Sequence, residues 1–157
     1  MTPEKGTTEG LKKAVEARGI SKIVVASRGG KSALKVAEAV GKAVHVISVT
    51  EFSYSADVKK KMKKLKMAAV EEADLVIQDN REMNETLLMF GLGVKAALEV
   101  AAIAKQKGLV EGEFIAVAGG KKLDTVLVID TVHPAAELVT DPVKHLSIKQ
   151  IIASPLI

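Results

Sequence analysis

Ile23-Val24-Val25-Ala26-Ser27-Arg28-Gly29-Gly30-Lys31-Ser32, then Val44-His45-Val46-Ile47-Ser48-Val49 after a short interval, is the stretch that decides how this chain folds. Each apolar run is short, β-branched and flanked by turn residues, the pattern of a strand buried on both faces. Between them, Ala33, Val36, Ala37 and Val40 fall on one face of a helix beginning at Ser32, and Gly41 closes it. A strand, a helix and a strand in so few residues require parallel strands joined by a right-handed crossover.

The flanking sequence extends this unit. Thr7 or Thr8 is suited to cap a helix that runs to about Arg18 and stops at Gly19. Thr50 to Ala56 reads as a loop, Asp57 to about Ala73 as a long helix, and Asp74-Leu75-Val76-Ile77-Gln78 as a third strand. Residues 83–107 are helical in composition, interrupted at Gly91 and Gly93, with Val94 to Lys107 the strongest part. Phe114–Ala118 and Thr125–Ile129 are separated only by a short turn around Gly119-Gly120-Lys121-Lys122, too short for a crossover, so they pair as an antiparallel hairpin. Ile148–Ile152 reads as a terminal strand. The expected fold is α/β, a three-layer αβα sandwich over a mixed, mostly parallel sheet. With no repeat or linker, residues 1–157 form a single domain in this reading.

Composition narrows the function classes. Hydrophobic residues at 48% and charged residues at 27% describe a folded, water-compatible chain. Cysteine is absent, which removes disulfides and thiolate metal sites and fits a cytoplasmic setting. The stretch from Met1 to Gly6 lacks the apolar core of a signal peptide, and no apolar run approaches the ~20 residues of a membrane span. Aromatic residues are too few to stack bases. The net charge of +4 is concentrated in Lys59, Lys60, Lys61, Lys63, Lys64 and Lys66. That cluster reads as the solvated face of a helix, with a patch for an anionic partner as the alternative. Nucleic acid is disfavoured.

The chemistry-bearing motif is Ser27-Arg28-Gly29-Gly30-Lys31-Ser32. Its glycines allow close backbone approach, the following helix start offers amides and a positive dipole end, and Arg28 and Lys31 add charge. It is not a Walker motif, because the leading glycine would fall at Val25. Gly91-Leu92-Gly93-Val94-Lys95-Ala96 lacks the preceding strand of a dinucleotide fingerprint and reads as a helix break, with a backbone nest at the start of the Val94 helix, facing the ligand, as the alternative. Asp79 or Asn80 reads as a helix cap. His45 is expected to be packed in its strand, while His133 and His145 read as structural, so no metal site is expected.

These stretches, with Gly19-Ile20, Gly93-Val94-Lys95 and Leu98-Glu99, Val117-Ala118-Gly119-Gly120, Asp124 to Ile129, His133, and Ile148 to Pro155, resemble the C-terminal domain of pyruvate kinase. More closely, they resemble a family of stand-alone archaeal proteins with that fold. The resemblance spans residues 8–156. It implies that Ser27, Arg28, Gly29, Gly30, Lys31 and Ser32 match a phosphate loop, with Thr50 beside them. It also implies that Gly119, Gly120 and Lys121 belong to a second loop that closes over the ligand. It implies a flavin mononucleotide (FMN) or similar phosphorylated ligand, and homo-oligomers. It implies no pyruvate kinase activity, because the catalytic barrel is not in this chain. Around Thr50 to Asp57 the chain is shorter than the family's pattern. The expected function is a sensor or carrier of a phosphorylated small molecule. The alternatives are an enzyme using Lys31, Lys121 or His133, and a subunit that binds partners through the lysine-rich helix.

Overall fold

In the computed structural model, residues 3–154 are described, with the side chains of residues 3–5 and 121 left aside. The elements in chain order are α1 (Pro3–Arg18), β1 (Lys22–Ala26), α2 (Lys31–Val40), β2 (His45–Val49), α3 (Ala56–Lys64), β3 (Ala68–Val70), α4 (Arg81–Leu88), α5 (Leu92–Gln106), β4 (Glu113–Ala118), β5 (Thr125–Asp130) and β6 (Ser147–Ala153). They form a six-stranded mixed sheet in the order β3-β2-β1-β4-β5-β6. β1 pairs in parallel with both β2 and β4, and β2 with β3. β4–β5 and β5–β6 are antiparallel, as the hairpin reading requires.

Strand alternation sorts the core into two faces. Ile23, Val25, Val46, Ile115, Val117, Val126 and Val128 pack with Leu11 and Ala14 of α1, Ala33, Val36 and Ala37 of α2, and Met62 of α3. Val24, Ile47, Val49, Phe114, Ala116, Leu127 and Ile129 pack with the Ala- and Val-rich face of α5. The sheet is therefore covered on both sides, which accounts for the near-continuous apolar runs of β1, β4 and β5.

Several elements depart from the sequence-based expectation. α1 begins at Pro3 rather than at a Thr cap, since proline suits the first helical turn. The long helix ends at Lys64. Lys66 takes a positive φ of 55°, and Ala68–Val70 pairs with β2 instead of continuing the helix. Asp74–Gln78 is no strand but a turn, closed by Asp79 N–H to the Leu75 carbonyl (3.0 Å), with Ile77 buried inside it. Only Gly91 breaks the 83–107 segment, at φ 99°, whereas Gly93 lies in the first turn of α5. His45 is exposed, because it is the first residue of its strand. Asn80 caps α4, accepting from Met83 N–H at 3.2 Å.

A Cβ on Gly93 would lie 1.9 Å from Thr125 Oγ1, whereas one on Gly29 would meet nothing within 4 Å. Gly93→Ala is therefore expected to lose about 1–3 kcal/mol of stability, the usual cost of overpacking. Gly29→Ala should stay within about 0.5 kcal/mol of the parent. Urea unfolding midpoints of the two variants check both.

Candidate functional site

The segment 27–30 leaves the carboxyl end of β1 and enters α2. Its backbone is fixed at both ends. Ser27 N–H donates to the Val49 carbonyl (3.1 Å), extending the parallel ladder by one step. The Ser27 carbonyl accepts from the buried Tyr54 hydroxyl at 3.0 Å. The Tyr54 oxygen also lies 2.6 Å from Ser48 Oγ. Tyrosine has one proton and it goes to Ser27, so Ser48 is the donor in the second bond. Burial pushes the Tyr54 phenol up to about 12, partly offset by the Ser48 bond and reinforced by the Glu71 charge, so it remains a donor throughout the physiological range.

Gly30 has φ 89° and is packed tightly: a Cβ there would lie 2.6 Å from Val58 Cγ1 and 2.7 Å from Met62 Cε. Glycine is required both by conformation and by space. It caps α2 without a side chain, and the first turn of α2 contains no acidic residue. The N–H groups of that turn have no intrahelical acceptors. Thr50 Oγ1 donates to the Arg28 carbonyl (3.1 Å) and accepts from Phe52 N–H (3.1 Å), so its hydroxyl proton is committed to holding the loop. The Arg28 guanidinium sits 5.4 Å from the Phe52 ring centre. Ser32 Oγ donates to the Gly120 carbonyl at 3.0 Å, joining the first loop to the β4–β5 connection.

These groups line a cavity of about 550 Å³, within the range that encloses small-molecule ligands. Ser27, Arg28, Gly29, Lys31, Ser32, Thr50, Gly119 and Gly120 all lie on its wall, while Gly30 is turned into the packing behind it. The Lys121 side chain lies outside the described residues. The cavity opens where β1, β2 and β4 end, at the point where the chain reverses its direction of travel across the sheet. That is the usual ligand position in open α/β sheets.

Of the opposite wall, the sequence offered only a backbone nest at the start of the Val94 helix as an alternative, and no role for its side chains. That wall comprises Leu75 and Gln78 of the turn with Lys95, Ala96, Glu99 and Val100 of α5. Glu99, 2% exposed, accepts from the N–H groups of Ile77 (2.6 Å) and Gln78 (2.9 Å). Lys95 Nζ donates to Gln78 Oε1 (3.1 Å) and lies 3.7 Å from Glu99. The signal was the spacing: Lys95, Ala96, Glu99 and Val100 share one helical face.

The remaining candidates are used locally. His133 Nδ1 accepts from Ala135 N–H (3.0 Å), and His145 Nε2 contacts the Val139 carbonyl. The lysines of α3 face solvent around the inward Met62, with Lys59 paired to Glu71 at 3.1 Å. Among the described residues no group of three His, Asp or Glu is placed to hold a metal, and no helix is long and apolar enough to cross a membrane. Compared with known proteins, the chain matches no family model and no curated protein.

Tyr54→Phe removes the bond to the Ser27 carbonyl and should cost about 1–3 kcal/mol by chemical denaturation. Glu71 accepts from Tyr54 N–H (2.7 Å), and this bond with the Lys59 pair holds its carboxyl below the ordinary value. A lowered folded pKa means that its stabilising effect is complete above about 4.5 and is lost as pH falls from there toward the folded value. Glu71→Gln should lower stability at neutral pH, converge with the parent in strong acid, and so flatten the acid limb of the stability–pH curve.

Proposed function

We propose that the chain binds a phosphorylated small molecule, of the size and kind of flavin mononucleotide, with the phosphate held by Ser27 to Ser32. The observation that carries this reading is the opening of that loop onto a cavity of about 550 Å³. Arg28 and Lys31 stand on its wall beside the first turn of α2, which has no acid of its own. Among the described residues neither cation takes part in an ion pair. Amides and unpaired cations converging on one point favour a dianion.

A relationship to the pyruvate kinase C-terminal domain is supported by the order strand, glycine loop, helix and strand ending in Val49-Thr50, set in a mixed sheet. The role is that of a sensor or carrier. Self-association is supported by β6 at the end of the sheet, where Ile148 and Ile151 are exposed at 42% and 55%.

Calorimetric titration with inorganic phosphate and with flavin mononucleotide tests the reading. Arg28→Ala and Lys31→Ala should each weaken binding about tenfold, the range of a lost charge-assisted bond. No heat with either probe would overturn it.

A further inference from the structure

Resting on that phosphate site, we propose that the α5 wall reads the other end of the ligand. Lys95 and Gln78 are its specificity-determining residues, and the group they take is an uncharged carbonyl rather than a second phosphate. The donor arithmetic comes first. An ammonium has only donors, so the oxygen of the Gln78 carboxamide must be the atom facing Lys95 Nζ, at 3.1 Å. That occupies one of the oxygen's two lone pairs. The NH2 of Gln78 and the remaining N–H groups of Lys95 stay available, and both residues line the cavity. The pair presents donors in excess, so a ligand edge rich in acceptors complements it.

Charge then selects the kind of acceptor. Glu99 lies 3.7 Å from Lys95 Nζ, with 3% of its own side chain and 12% of the lysine's exposed. The carboxylate is held by two backbone N–H groups and cannot swing away without leaving both unpaired. The Lys95 charge is thus already compensated, and a second dianion would meet no net positive field there. The loop at the far wall differs, since Arg28 and Lys31 have no such counter-charge among the described residues. Between the two poles the lining is Ala26, Val49, Leu75, Ala96 and Val100. One pole suits a dianion, the middle an apolar body, and the far pole neutral carbonyl oxygens. A carbonyl-bearing heterocyclic monophosphate meets all three conditions. A sugar bisphosphate fails the last two.

Calorimetry on the full chain separates these cases with four probes: inorganic phosphate, uridine 5′-monophosphate, cytidine 5′-monophosphate and fructose 1,6-bisphosphate. The two nucleotides carry the same phosphate, sugar and C2 carbonyl, but at C4 uridine has a carbonyl acceptor and cytidine an amino donor, and at N3 uridine has an N–H donor and cytidine a bare acceptor. Uridine monophosphate should bind about tenfold tighter than cytidine monophosphate, the scale of one hydrogen bond to a charged group. The bisphosphate should bind no tighter than uridine monophosphate. Lys95→Met, and independently Gln78→Leu at an exposed position, should erase the uridine preference while inorganic phosphate binding persists. Tighter binding of the bisphosphate than of uridine monophosphate, or a uridine preference unchanged in both variants, would overturn the assignment and leave the phosphate loop standing. Absence of binding by every probe would remove the loop reading and this one together.

Discussion

Parallel strands joined through a helix cross over with one hand only. From β1 the chain passes through α2 to β2 and through α3 to β3, moving steadily toward one edge of the sheet. It then returns through α5 to β4, on the other side of β1. Keeping the same hand while reversing direction places α5 on the opposite face from α2, and the two core faces show this division. The carboxyl end of β1 is thereby left between diverging helices, with no element laid across it. The cavity is a consequence of connectivity before any side chain is considered.

Side chains then fix the backbone around that opening. A loop at the end of a central strand carries polar main-chain groups that water reaches poorly, and each needs a partner. Tyr54, Ser48, Thr50 and Glu99 supply those partners from within the core, and each is at most 5% exposed. Three of them serve the loop that follows β1, and Glu99 serves the turn on the opposite wall. Both walls are consequently held by buried hydrogen bonds rather than by surface contacts, so the distance between them is set by the core. The cavity-lining Arg28, Lys31 and Gln78 are by contrast exposed.

What could be read in the sequence was whatever rests on local periodicity. β1, α2, β2, the β4–β5 hairpin and β6 follow from residue spacing and turn chemistry, and so does the polar loop after β1. What could not be read rests on partners distant along the chain. Met67 to Val70 has the composition of a helix, yet Ala68–Val70 lies alongside β2, and the ladder outweighs the small propensity of alanine for helix. Asp74–Gln78 has the apolar run of a strand. It is a turn because Glu99, 22 and 21 residues further on, takes the N–H groups of Ile77 and Gln78 that a sheet would have used. The same residue places Lys95 and Gln78 together. The second half of the site was therefore hidden for the same reason as the misread strand.

The bond from Ser32 to the Gly120 carbonyl makes the two loops share a single proton. A hydroxyl has one hydrogen to give. An anion arriving at the start of α2 would compete for it with the β4–β5 connection. If Ser32 turns to the newcomer, the Gly120 carbonyl loses this bond, while buried Leu123 still anchors the connection to the core. If Ser32 keeps its present partner, the bond stays and the anion relies on amides and cations alone. Binding at one loop and contact with the other are thus alternative uses of the same atom.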